Sequence, residues 1–366
     1  MTQAIHHFAP MVHRGDAVGR HTLRLRDAAR SQGFDSTIYV DTMEPDTQSE
    51  TSSVLDYPAA ARPDDILLYQ FATASRMASW LAQRREALVV NYHNVTPPEY
   101  FAPWDYDIAV GQASAQEQLG LLAPRALLAI ADSAYNETHL ADAGFVRSVV
   151  VAPSASLDRA PFDALAQART SGEGRGSRLL CIGRLAPNKA VEDVIAALLV
   201  LRSHHDAEAT LQIIGKPATT SYGQALHRYV AQLGLQSAVT FTGHASDVGV
   251  LRAYGEADVL VVASDHEGFC VPVTEAMAAG LPIVAFAAGA LPEVVGEAGV
   301  LVESRDPYDL AGAIHALVRD EARQAELRRA GVSRLDVLDL ASAADRIIAA
   351  VATSGRPEQS KGSRVP

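Results

Sequence analysis

The run Val259-Leu260-Val261-Val262-Ala263, with the residues after it, restricts the fold of this chain more than any other stretch. Five consecutive apolar residues read as a strand buried on both faces, the mark of a parallel sheet. A short polar loop from Ser264 to Gly268 follows, Pro272 suits the first turn of a helix, and Gly280 and Pro282 end that helix. Leu281 to Phe286 then starts a second apolar run. This strand–loop–helix–strand unit carries two glutamates, Glu267 on the loop at the strand's carboxyl end and Glu275 in the early turns of the helix. Ligands of open α/β sheets bind at that edge. The unpaired first amides of a helix there favour an anion. Taken singly, each glutamate is an ordinary surface or helix-start charge; the pair, with Gly268-Phe269-Cys270-Val271-Pro272 between, is far more specific.

The same alternation runs through the rest of the chain. Ala4–Phe8, Ser36–Val40, Ile66–Tyr69, Leu88–Tyr92, Ala126–Ala131 and Val149–Val151 are predicted strands, and a helix is expected over Ala17–Gln32, stopped by Gly33. The first strand leads into a loop with Gly15 and Gly19, which is not G-x-G-x-x-G, so the spacing does not indicate a dinucleotide. Asp41–Ala61 is polar and reads as loop. Pro153–Arg178, rich in Ala, Ser, Gly and Arg, reads as a linker. A second unit opens at Leu179–Ile182, continues through Gly183-Arg184-Leu185-Ala186-Pro187-Asn188-Lys189 into a helix, and alternates onward to Val302. Two cations on one loop beside a helix N-terminus suit a diphosphate. Regular strand–helix alternation implies α/β architecture with parallel sheets. The expected organisation is a first domain over 1–152, a linker over 153–177, a second domain over 178–335, a terminal helix over 336–352 and a disordered tail over 353–366.

Composition excludes several classes. The net charge of −12 argues against a general nucleic-acid binder. The arginines at 20, 24 and 26 and at 84 and 85 read as solvated helix faces. Two cysteines, Cys181 and Cys270, imply a reduced compartment without a disulfide framework or zinc cluster. The first residues lack the features of a signal peptide, and no apolar run approaches the ~18 residues of a spanning helix. A cytoplasmic location is expected, with room for weak peripheral association at the inner membrane face. Asp105-Tyr106-Asp107 has a D-x-D form but lacks the further ligands a metal site needs, so no metal is expected.

The Glu267–Glu275 unit resembles the E-x7-E motif of retaining glycosyltransferases of the two-domain GT-B fold, in the large nucleotide-sugar family called group 1 or family 4. The resemblance extends through Gly289-Ala290-Leu291-Pro292-Glu293, Gly296 to Val302, and the Gly-Arg-Leu-x-Pro-x-Lys loop at 183–189. In the first half, His93-Asn94-Val95-Thr96-Pro97-Pro98-Glu99-Tyr100-Phe101 and the Gly15–Gly19 loop are similar to acceptor-side blocks of a subgroup that often carries His where this chain has Gln70. The resemblance implies two Rossmann-like domains facing across a cleft, the C-terminal helix over 336–352 crossing back to the first domain, and a sugar moved, with retention, from a UDP- or GDP-linked donor, mannose among the candidates. The acceptor would be a hydroxyl of a sugar, a glycolipid or another molecule in cell-surface polysaccharide assembly. It further implies that Arg184 and Lys189 hold the diphosphate and that Glu275 binds the ribose. Glu267 would meet the donor sugar, Gly268, Phe269, Cys270 and Val271 would line the site, and His93 and Gly15 would lie across the cleft; Glu267, His93, Arg184 and Lys189 would be the catalytic residues. No cofactor is implied. A nucleotide-sugar epimerase, a phosphorylase and a non-catalytic binding protein of the same fold stay open.

Overall fold

The computed structural model describes residues 3–154, 159–168 and 175–354. Among them are two parallel sheets. The first has seven strands: β1 (Ile5–Ala9), β2 (Ile38–Val40), β3 (Thr51–Ser53), β4 (Ile66–Phe71), β5 (Ala87–Tyr92), β6 (Ala126–Ala131) and β7 (Ser148–Val150), in the order β3-β2-β1-β4-β5-β6-β7. The second has six: β8 (Arg178–Ile182), β9 (Thr210–Ile214), β10 (Val239–Gly243), β11 (Val259–Val262), β12 (Ile283–Phe286) and β13 (Val300–Val302), in the order β10-β9-β8-β11-β12-β13. This is the α/β, two-sheet architecture the alternation predicts.

Period-two burial explains why these apolar runs become strands. In β8, Leu179 packs with Ile195, Ile213 and Val261 on one face, while Leu180 packs with Leu260, Val273 and Ile283 on the other. In β4, Leu67, Tyr69 and Phe71 face one core and Ile66 and Leu68 the other. Both faces are covered by helices, so neither side of the strand tolerates a run of polar residues. The helix Ala343–Ser354 closes the second of those first-sheet cores, with Ile347, Ile348 and Val351 against Ile5, Leu25 and Val89. The last described helix therefore packs on the first sheet rather than the second.

Three expectations change. The segment Asp41–Ala61 contains β3 and short helices, because Thr47 donates from its hydroxyl to Val12 O at 2.7 Å and Arg26 grips Glu50 at 2.8 Å. Arg26 is thus a buried partner and not a solvated helix charge. Within the expected linker, Arg159–Ala168 is a helix whose Phe162 packs edge-on to Tyr254 in the second domain. The rest of that stretch in part, 155–158 and 169–174, and the tail at 355–366 lie outside the described residues. Asp105 caps the helix Tyr106–Leu122, accepting from Ile108 N at 3.1 Å.

Strand order reverses at β1/β4 in the first sheet and at β8/β11 in the second. At such a switch point adjacent loops diverge and leave a crevice at the carboxyl edge. The loops after β8 and β11 carry Arg184, Lys189 and Glu267. Gly289, after β12, presses on the same place. At φ 57°, with an added Cβ only 2.7 Å from Glu267 O and 2.8 Å from Glu267 N, it admits no side chain. Its neighbour Ala290 donates its N–H to Glu267 O at 2.9 Å. Gly289→Ala should therefore destabilise the protein by about 1–3 kcal/mol through backbone strain and overpacking, read as a lower urea midpoint; an unchanged midpoint would show that this loop does not hold Glu267.

Candidate active site between the two sheets

Glu267 sits at the carboxyl edge of β11, 7% exposed. Its Oε1 accepts from the Ser264 hydroxyl at 2.9 Å and forms an ion pair with Lys189 Nζ from the loop after β8. Asn188 ties the two loops together: its side-chain amide donates to His266 O at 2.8 Å, and its carbonyl accepts from Asp265 N at 2.9 Å. The turn Pro187–Lys189 ends in Ala190, a left-handed residue at φ 46° that starts the next helix. Arg184, exposed on the same loop, makes no hydrogen bond or ion pair among the described residues and feels the charges of Glu267 and of Asp16 in the first domain.

Cys270 closes the Glu267 loop at φ 75°, ψ 75° and serves as N-cap of the helix Val271–Ala278, with Pro272 in its first turn. Burial pushes the Cys270 thiol well above its usual range and that of Cys181 up to about 12, so both stay protonated. Glu275, on the same helix, accepts from the Tyr254 hydroxyl at 2.8 Å. Burial raises the Glu275 pKa, opposed by that hydrogen bond and by the charge of Arg20 from the first domain.

The first domain faces this edge with three elements. In the Gly15–Gly19 loop, Gly19 lets the chain fold back, since a Cβ there would stand 2.0 Å from His13 O. Gly15 itself lies at the surface toward His244 of the second domain. The segment after β5 carries His93 and Asn94, the latter at φ 74°. His93 has its side chain 2% exposed, with Nδ1 3.0 Å from Asp132 Oδ2 and Nε2 2.8 Å from Gln70 Oε1. Both ring nitrogens are thus engaged inside the first domain, and the ring does not project into the cleft.

The helix Ala134–Asp142 supplies the third element and locks onto the second domain. Glu293 accepts from Ala134 N at 2.9 Å and from Tyr135 N at 3.3 Å, a carboxylate on a helix N-terminus. The Ser133 hydroxyl donates to Gly268 O at 2.7 Å. His266 Nε2 lies 2.8 Å from Asn94 Oδ1 and its Nδ1 3.1 Å from the Tyr135 hydroxyl, while His139 stacks on its ring at 5.7 Å. Gly268 allows this approach, because a Cβ would come within 2.6 Å of Asn94 Cβ.

The site therefore brings together Arg184, Lys189, Glu267, Gly268, Phe269, Cys270, Val271 and Glu275, with Gly15 opposite and His93 recessed. Sequence reading missed Asn188, Ser264, Tyr254, Asn94, Tyr135, His266 and Glu293, which hold these groups. Glu293 and Asn188 stood inside motifs already noted; Tyr254 carried no signal.

A profile described as glycosyl transferases group 1 matches residues 176–320, the whole C-terminal half of this site. D-inositol 3-phosphate glycosyltransferase of Thermomonospora curvata is 30% identical over 308 residues, covering 78% of this chain and 70% of that protein. The chain belongs to the group 1 glycosyltransferases. Another relative of the same description, from Geodermatophilus obscurus, is 34% identical over 224 residues, or 58% of this chain and only 50% of that protein. Among solved structures, Anabaena HepE in complex with UDP-glucose is 20% identical, with a TM-score of 0.73 over 96% of this chain and 99% of that one. The fold of this glycosyltransferase family member is GT-B.

The seam has a pH consequence. Burial and the adjacent His139 ring lower the His266 pKa from 6.5 to about 4, so the folded, closed protein holds this ring neutral. The unfolded chain takes up the proton first as pH falls. Stability contributed by this group is complete above pH 6.5 and declines as pH drops toward 4, a loss of about 3 kcal/mol. In unfolding measured across that window, His266→Gln should lose about that much less than the parent; parallel profiles would contradict the assignment.

Proposed function

We propose that the chain transfers a sugar from a nucleoside diphosphate sugar to an acceptor hydroxyl, with retention at the anomeric carbon and without a metal. The observation that carries this reading is the Lys189–Glu267 pair beside Arg184 at the switch point of the second sheet. The bond to be broken joins the sugar's anomeric carbon to a diphosphate oxygen. As it breaks, negative charge grows on the diphosphate and positive charge on the sugar. Arg184 and Lys189 meet the first, as preorganised cations whose effect is greatest in the transition state. The Glu267 carboxylate faces the second. Glu275, with one oxygen held by Tyr254, offers the other to the ribose hydroxyls. The solved HepE complex with UDP-glucose supports the donor class, and the inositol-phosphate glycosyltransferase relatives support a hydroxyl acceptor. Whether UDP or GDP carries the sugar, and whether mannose is the sugar, is a matter for a donor panel. Among the described residues no helix is long and apolar enough to cross a membrane, so a lipid-linked acceptor would be met from the surface.

Product analysis separates this reading from epimerisation, which needs no second acceptor, and from phosphorolysis, which needs inorganic phosphate. Turnover should persist in excess chelator, whereas a strict need for magnesium or manganese would overturn the metal-free reading. Glu275→Ala should weaken nucleoside diphosphate binding at least about tenfold, the worth of one charge-assisted hydrogen bond; unchanged affinity by calorimetry would remove Glu275 from the ribose. Lys189→Ala and Arg184→Ala should each lower turnover by about 10²–10³. Because both serve one diphosphate, the double variant should lose less than the product of the two. Near-normal steady-state rates in both single variants, folded and at saturating acceptor, would refute the clamp.

A further inference from the structure

Five buried side chains form one line beneath the carboxyl edge of the first sheet. Asp132 Oδ2 lies 3.0 Å from His93 Nδ1, and His93 Nε2 lies 2.8 Å from Gln70 Oε1. Gln70 and Asn91 are cross-strand partners of β4 and β5, with Gln70 Oε1 3.0 Å from Asn91 Nδ2. Asn91 Nδ2 in turn lies 2.8 Å from His21 Nε2. His21 Nδ1 accepts from the backbone N–H of Ser154 at 2.9 Å. Gln70, Asn91 and His21 are each at most 1% exposed, so no solvent supplies an alternative partner.

The two ends of this line fix its polarity. At one end the donor is a main-chain N–H, which cannot be reversed. His21 Nδ1 therefore holds a lone pair, and the ring proton sits on Nε2. That proton points at Asn91, where an amide nitrogen would set donor against donor while Asn91 Oδ1 has no partner. The oxygen and nitrogen of a side-chain amide are told apart by their hydrogen bonds. Turning Asn91 so that Oδ1 accepts from His21 places that oxygen 3.0 Å from Gln70. Gln70 must then present its Nε2, which otherwise has no partner. An amide nitrogen has two protons, and here one meets Asn91 Oδ1 and the other His93 Nε2. His93 Nε2 becomes the acceptor, its proton resides on Nδ1, and that proton meets Asp132, a carboxylate that only accepts.

We propose that Gln70 is a positioning residue that donates to His93 Nε2 and to Asn91 Oδ1, fixing His93 as a neutral ring protonated at Nδ1. All hydrogen bonds then run from the Ser154 and Gln70 donors into Asn91 and Asp132 without a donor–donor contact. A histidine at position 70 has one ring proton when neutral and could serve only one of the two branches. The consequence for the cleft is specific: His93 exchanges no proton with a substrate and holds the turn at Asn94, whose side chain meets His266 of the second domain.

The test is ring nitrogen spectroscopy on the full chain labelled with ¹⁵N-histidine, without ligand, so that it stands apart from the transfer reading. At pH 7 the expected spectrum has His93 protonated at Nδ1 alone and His21 at Nε2 alone. In Gln70→Leu, still folded by its melting curve, the His93 Nε2 signal should move toward that of a free unprotonated ring nitrogen. A proton on His93 Nε2 in the parent, alone or with one on Nδ1, would overturn the proposal. So would a His93 Nε2 signal that does not respond to Gln70→Leu. Should that variant not fold, the parent spectrum alone decides.

Discussion

The Lys189–Glu267 ion pair is the contact on which the rest of this site depends. It joins the loops that leave β8 and β11, the two strands between which the order of the second sheet reverses. A half-buried pair of this kind costs desolvation and returns it only when its remaining hydrogen bonds are made. Ser264 makes one of them, and Asn188 and Gly289 fix the backbones on either side. The result is a carboxylate and a cation held side by side where an incoming diphosphate sugar would need both. Arg184, left without a fixed partner on the same loop, supplies the second cation.

That arrangement lies in the second domain, but the first domain completes it. Ser133 holds Gly268 O, Glu293 caps the helix Ala134–Asp142, and His266 bridges Asn94 and Tyr135. Beside these polar contacts the seam has an apolar part, in which Phe101 and Ala109 of the first domain pack with Ala186 of the second and Trp104 meets Tyr222 edge-on. The pH sensitivity expected of His266 belongs to this seam and not to the chemistry. Beneath it, the line from Ser154 to Asp132 stiffens the first sheet's edge and takes the His93 ring out of play as a proton carrier.

Much of this was legible in the residues. Buried parallel strands announce themselves as apolar runs, so β6, β11 and β12 fall where the alternation puts them, and Glu267, Glu275, Arg184 and Lys189 lie on the loops and helix that the strand ends dictate. What the sequence hid is of two kinds. Ordered segments without a periodic apolar run, such as Thr51–Ser53 and Arg159–Ala168, depend on long-range partners, among them Arg26 with Glu50 and Phe162 with Tyr254. Buried polar residues within apolar strands, such as Gln70 and Asn91, have no period and meet partners 21 to 70 positions away. Their spacing gives no hint of the line they form, and His93, conspicuous beside a strand end, is set by neighbours that no local pattern reveals.

The central claim is that the edge of β8 and β11 is built for a nucleoside diphosphate. A ligand-induced melting shift with a panel of nucleoside diphosphates and their sugars tests it most directly, because binding to the folded state alone adds about 2.7 kcal/mol at a hundred times Kd. The account predicts that at least one base raises Tm by several degrees in the parent, with the shift reduced when Lys189 and Arg184 are both replaced by Ala. No shift from any member of the panel, or the same shift in that double variant, would contradict it.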